Sequence, residues 1–371
     1  MKKKIIGIMT LFMLPLIGVI FLVEGCDIAP AIEYSSPIDN ASRLPTLSMV
    51  PALPIEMVWV DGGTFELGKE IGTANTGNAG YWHEVTLTGF HIGKFPVTQA
   101  QWQAVMTGNN NGISSNPSTI ASNLAAGETQ SGRPVDNVSW YDAVVFCNRL
   151  SIMEGRTPAY EMQIASDYDP DVYVWSTDPD DWEESPSYSH WGWNHIQIVA
   201  NSNGYRLPTE AQWEYAAKGG RTSCRQGSPA EFQNRTQCAQ LGIKTETNPD
   251  GFCCFTYAGS NDPDEVAWYG NNGGRTREVG RLKPNALGIH DMSGNVLEWC
   301  WDSARPYSEQ NDIVDPMGPP RSEAFRMQRG GYWLLSAAYL RSIDRGAGNN
   351  GYGMPHPEDR SSGQGFRVVR P

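Results

Sequence analysis

The side chains of this 371-residue chain best suited to covalent or metal chemistry are seven cysteines and six histidines. His83, His91, His190, His195, His290 and His356 are scattered, with no HExxH or HxxxH pair to hold a metal from one helix face. No GxSxG elbow presents a serine, and Gly270-Asn271-Asn272-Gly273-Gly274 lacks the spacing of a phosphate-cradling loop. Cys147 and Cys300 interrupt apolar patterns, as buried thiols do. Cys224, Cys238, Cys253 and Cys254 fall in loop-like sequence, where one or two disulfides are plausible, and no CxxC pair suggests zinc. No cysteine follows Cys300. The stretch from Gly330-Gly331-Tyr332-Trp333 to Gly365-Phe366-Arg367-Val368 is therefore dense in contact-type side chains and free of thiols.

Lys2-Lys3-Lys4 precedes an apolar run from Ile5 to Val23, the order of a secretory leader. Val23-Glu24-Gly25-Cys26 resembles a bacterial lipoprotein box, with Glu24 departing from the usual small or apolar residue. An uncleaved anchor helix and ordinary secretion are the other readings of the same residues. All three place the body outside the cytoplasm, and a lipid on Cys26 would hold it at a membrane, on the outer surface in the reading favoured here. Residues 26–54 carry repeated Xaa-Pro pairs without periodicity and read as an extended tether. The formal charge of −13 argues against nucleic acid and anionic headgroups as partners. A protein or surface ligand and a monomeric state are the expectation.

Three capping boxes predict the helices that organise the body: Thr98–Gln101, Ser139–Asp142 and Thr209–Gln212. In the second, Trp140, Ala143, Val144, Cys147 and Leu150 recur at helical spacing and predict one buried face. Short strand-like runs stand at Met57–Val60, Thr64–Leu67, Val85–Leu87, Phe90–Ile92, Ile196–Val199 and Phe366–Val369. Residues 167–185 hold eight acidic residues and read as a solvated insertion rather than a metal site. With 39 Gly and 25 Pro, the pattern predicts an α+β body dominated by loops.

Seven motifs in order complete the reading. Met57-Val58-Trp59-Val60-Asp61-Gly62-Gly63-Thr64-Phe65 comes first, then His83-Glu84-Val85 with Pro96-Val97-Thr98. Arg133-Pro134-Val135-Asp136-Asn137-Val138-Ser139-Trp140 and Gly204-Tyr205-Arg206-Leu207-Pro208-Thr209-Glu210-Ala211-Gln212-Trp213-Glu214 follow. Asn285-Ala286-Leu287-Gly288, Ser293-Gly294-Asn295-Val296-Leu297-Glu298-Trp299 and Arg329-Gly330-Gly331 with Gly365-Phe366-Arg367-Val368 close the series. Over residues 55–371 this resembles the formylglycine-generating-enzyme/sulfatase-modifying-factor family, and the likeness implies a C-type-lectin-like fold. Most of these residues read as framework, with Arg206, Glu210 and Glu214 expected to form an ionic lattice that fixes loops.

The resemblance carries three expectations about chemistry. It implies calcium on the side chains of Asp291 and Glu298 and the carbonyls of Gly294 and Val296, with Asp291 where the family more often has Asn. The family's oxidases hold copper(I) on two cysteines, four and nine residues past the Gly-Gly. Here those positions are Leu335 and Leu340, so no copper and no catalysis are expected. What remains is binding, most like the variable proteins of diversity-generating retroelements, whose C-terminal segment (here 329–370) is diversified. On that likeness Tyr332, Leu334, Leu335, Tyr339, Ile343, Asp344, Gly346, Asn349, Asn350 and Tyr352 are display positions. Trp333, Arg341, Arg345, Phe366 and Arg367 are framework. A non-diversified structural lipoprotein and an enzyme of the same fold are the alternatives.

Overall fold

Each of the three capping boxes closes in the computed structural model, which describes residues 54–68, 83–119, 124–165, 173–220, 255–304, 313–317, 325–346 and 355–371. The leader, the tether to residue 53, Cys26 and the four loop cysteines lie outside these residues. In chain order the main elements are β1 (Met57–Val60), β2 (Gly63–Leu67), β3 (His83–Leu87), β4 (Phe90–Gly93), α1 (Gln99–Met106) and α2 (Trp140–Met153). Then come β5 (Tyr160–Ala165), β6 (Tyr173–Ser176), α3 (Trp191–Asn194), β7 (Gln197–Ile198) and α4 (Glu210–Ala217). The chain ends with β8 (Ala267–Trp268), β9 (Ser293–Gly294), β10 (Leu297–Ser303), β11 (Ile313–Val314), β12 (Arg326–Arg329), β13 (Gln364–Gly365) and β14 (Val369–Arg370).

The strands form small sheets: β1-β4-β14, β12-β10-β13, β11-β3-β2, β6-β5-β7 and the pair β8-β9. In the first, the C-terminal strand joins the N-terminal pair, with Val369 opposite Ile92 and Ile92 opposite Val58. Both ends of the domain are thereby locked to one another. The run Phe366–Val369 is not one strand. Phe366 and Val368 accept backbone hydrogen bonds from Val97 and Gly93, and only Val369–Arg370 joins the sheet. The interior is aromatic. Trp102 stacks on Phe146 with centroids 5.5 Å apart, and both meet the edge of Phe366, a geometry that adds to the burial of the rings themselves.

The expected amphipathic α2 is instead buried all round from Trp140 to Ser151. Periodicity marks one face because its polar residues look solvent-facing in sequence, yet each finds a partner. Asp142 accepts two hydrogen bonds from Arg360 (2.7 Å each), and Asn148 donates to the carbonyls of Tyr160 and Thr177 (2.8 Å each). Burying such groups is tolerable only when they are bonded. The acidic insertion is also not merely a solvated loop. Residues 173–176 form β6, Trp182 is buried, and Asp180 pairs with Arg149 of α2.

Candidate ligand-binding face

The C-terminal segment leaves β12 through Gly330 and Gly331, both at positive φ (93° and 70°). Only glycine suits the second: a Cβ there would lie 2.4 Å from Leu340 Cδ2 and 2.7 Å from the Tyr339 carbonyl. The close approach shows that the chain turns back so that Leu340 covers the Gly-Gly turn. Backbone bonds then pin the segment from several sides. Trp333 N–H donates to Asn295 O, Gly270 N–H to Leu335 O, Ser342 N–H to Thr256 O and Gly346 N–H to Gln328 O. The Trp333 indole donates to Ser362 O (3.0 Å).

Leu335 and Leu340 turn inward. They are 6% and 0% exposed and pack with Tyr257, Val266, Ala267 and Tyr269 in a small apolar cluster beneath the segment. Leu335 therefore cannot be a display position, and neither can the buried Ile343. Alternation of apolar and polar residues does not separate them from their neighbours, because the segment is an irregular loop whose inward direction is set by what it packs on. Asp344 is also committed: Arg341 donates to both its oxygens, at 2.6 and 2.9 Å. Gly346 has no room for a side chain, since a Cβ would sit 2.8 Å from Gln328 O. Asn349, Asn350 and Tyr352 lie outside the described residues. Between Gly331 and Leu340 the segment presents to solvent Leu334 (53% exposed), Tyr339 (39%), half-buried Tyr332, and two residues absent from the expected set, Ser336 and Ala338. These two are small and resemble turn filler in sequence; only the path of the chain reveals them as surface.

Arg345 and Arg367 behave as framework. Arg345 grips both oxygens of Glu210 on α4 at 2.7 and 2.8 Å. Arg329, fully buried, pairs with Glu214 and reaches Glu210 at 3.6 Å, while Lys218 closes the group on Glu214 at 2.6 Å. This is the expected lattice with different cations. Arg206 donates instead to Gln212 Oε1 and the Leu207 carbonyl, so it braces the N-terminus of α4. Asp302 lies beside the lattice, accepting from the Glu210 amide at 2.7 Å. Its burial, together with the negative charge of Glu210, pushes its carboxyl up to about 7.

The residues expected to hold calcium do not fit it. Arg367 Nε and Nη2 occupy both oxygens of Glu298 (2.6 and 2.7 Å), and the Trp213 indole adds a third bond at 2.7 Å. Asp291 accepts from the Gly280 amide at 2.8 Å and from Asn295 at 3.3 Å. A divalent ion would have to displace a guanidinium that already neutralises Glu298. Among the described residues no group of three His, Cys, Asp or Glu is placed to hold a metal. The unfolding midpoint is expected to be the same in millimolar calcium as in excess chelator. A rise of several degrees with calcium would reinstate the ion. The two described cysteines, Cys147 and Cys300, are free and buried, and burial pushes both thiols well up, away from a reactive thiolate.

Residues 46–371 match the family described as the sulfatase-modifying factor enzyme 1-like domain. The chain belongs to that family. It has the family's α+β, loop-rich fold, and the structure of Treponema denticola variable protein 1 superposes with a TM-score of 0.64 at 32% identity, over 85% of this chain and 95% of that one. The chaperone protein LppX of Paenibacillus barcinonensis is 34% identical over 339 residues, covering 85% of this chain and 89% of that protein. The formylglycine-generating enzyme of Streptomyces coelicolor is 32% identical over only 186 residues, 47% of this chain and 54% of the enzyme. Likeness to the enzymes thus spans about half the chain, whereas likeness to the other two runs through most of it.

Proposed function

We propose that this chain is an exported, lipid-anchored binding protein that presents residues 332–339 on a scaffold without catalytic activity. The observation that carries this reading is the fate of Leu335 and Leu340. They fill an apolar cluster at the two positions where the family's oxidases would need thiols. Leucine offers neither a ligand for copper(I) nor a sulfur for exchange. Directly beside them, Leu334 and Tyr339 stand exposed although both are large and apolar. Such residues give a partner contact area at modest entropic cost. The extended likeness to a protein named as a variable protein supports a segment that varies in sequence, and the likeness to one named as a chaperone supports a polypeptide as the ligand.

Two measurements test this. With copper(I) and a cysteine-containing sulfatase peptide, no aldehyde should form; turnover would sink the non-catalytic part. Across genes from sister strains, substitutions should concentrate at Tyr332, Leu334, Ser336, Ala338 and Tyr339, while Leu335, Leu340 and Ile343 stay apolar. An even spread of substitutions along the domain, with no template repeat or reverse-transcriptase gene nearby, would sink the diversification.

A further inference from the structure

The insertion between α2 and α4 carries a second surface that shares no residue with the C-terminal segment. Between Arg156 and Arg206 the sequence holds nine Asp or Glu and not one Lys or Arg. Within that acidic stretch stand five exposed large side chains: Tyr173, Val174, Trp175, Tyr188 and Trp191. Tyr173 and Trp175, 60% and 41% exposed, project from the same face of β6, opposite Ala165 and Gln163 of β5. Tyr188 and Trp191 lead into α3, which packs on β5, and the Trp191 ring stacks on His195 at 4.3 Å. The neighbouring Trp182 and Trp193 are already buried and meet edge to face.

β6 is also a sheet edge. It pairs antiparallel with β5 through Met162–Ala165, and among the described residues no strand lies on its other side. Native proteins blunt such edges with lysine, proline or a covering element, because unpaired backbone groups on an apolar strand recruit another strand. Here the edge reads Tyr-Val-Trp-Ser, with no lysine or proline, and no described strand covers it. The charges around it select among occupants. Besides Asp180, which Arg149 already holds, Asp178, Asp181, Glu183 and Glu184 follow β6, and the Glu183 side chain is 74% exposed. A second copy of this chain would set two acidic stretches against each other, and an anionic membrane or nucleic acid would be repelled.

We propose that the outer edge of β6 is a docking site for an extended, basic segment of a partner protein, which adds a strand to the sheet. Backbone bonds to β6 supply the pairing, and Tyr173 and Trp175 flank alternate side chains of the incoming strand. The carboxylates that follow β6 select lysine or arginine at the intervening positions.

The test uses the full-length protein in detergent and a lysine–valine alternating heptapeptide labelled for fluorescence anisotropy. The control peptide has every valine replaced by proline, which keeps the charge and removes strand pairing. The alternating peptide should bind about tenfold or more tightly than the proline peptide and slow hydrogen exchange over residues 173–176. The double variant Tyr173→Lys/Trp175→Lys should lose about tenfold in affinity. Tyr173→Thr/Trp175→Thr, which leaves charge and strand propensity in place, should also bind more weakly while keeping the parent's unfolding midpoint. Equal binding of the two peptides would reduce the effect to charge alone and overturn the proposal. So would unchanged exchange at β6, or undiminished binding by the threonine variant.

Discussion

Replacing Arg367 by alanine is expected to destabilise the domain by about 3–5 kcal/mol, measured by urea denaturation at neutral pH. Arg367 is fully buried, as is Glu298, to which it donates twice. It also donates to the carbonyls of Gly93 and His290, at 2.8 and 2.9 Å. One side chain thus ties β10 to β4 and to the loop before β9. The alanine variant leaves the Glu298 carboxylate in the interior with the Trp213 indole as its remaining side-chain donor. It is the abandoned charge, more than the lost attraction, that makes the cost large. The double variant Glu298→Gln/Arg367→Met should therefore recover much of the loss, because it removes the charge along with its partner. A single-variant cost below about 1 kcal/mol would show that the pair contributes little.

Asp302 predicts the second large effect, with a sign opposite to that of a paired surface carboxylate. Its folded-state carboxyl is raised to about 7 by burial and by Glu210, whereas in the unfolded chain it titrates near 4. Between those values the unfolded state has released a proton that the folded state keeps. Stability is thus fully present below about pH 4 and falls as pH rises toward 7, by up to about 4 kcal/mol from this group. Asp136, raised to about 6 mainly by burial, adds a loss of the same sign over a narrower window. Glu128 acts the other way. Against the upward pull of burial, Arg133 and backbone amides hold it at about 2, so its contribution is lost only in strong acid. The variant Asp302→Asn keeps an oxygen for the Glu210 amide and cannot ionise. It should match the parent near pH 4 and exceed it by roughly 2–4 kcal/mol at pH 8. A difference that does not change with pH would remove Asp302 as the cause.

The Asp302 effect bears on the proposed binding face because the same lattice holds residues 332–339 in place. Arg345 reaches Glu210 from just beyond residues 332–339, and Arg329 reaches Glu210 and Glu214 from just before them. The loop between them can thus accept different side chains at its exposed positions without losing its ends. Its interior is fixed separately, by Leu335 and Leu340 in their apolar cluster. Variation at Leu334, Ser336, Ala338 and Tyr339 would change what is presented and leave these anchors intact.

Much of the framework is legible in the sequence because its causes are local. A capping box names its own partner three residues on, and Thr98, Ser139 and Thr209 each begin a helix where their spacing places it. The strands β1 to β4 follow from short alternating runs, and the absence of a cysteine past Cys300 is read from the sequence directly. The tertiary structure decided what depends on residues far apart in the chain. Leu334 and Leu335 are adjacent and chemically alike, yet one is exposed and the other buried, because Tyr257, Val266 and Tyr269 supply a cluster on one side only. Glu298 is a carboxylate that the family resemblance assigns to calcium, and in the fold it serves Arg367, 69 residues away. The acidic insertion is legible as charge, but that it offers an open strand edge with exposed rings depends on its pairing with β5. Residue type and local spacing determined which elements form. Long-range packing decided which of their side chains are spent on holding the fold and which are left exposed to solvent.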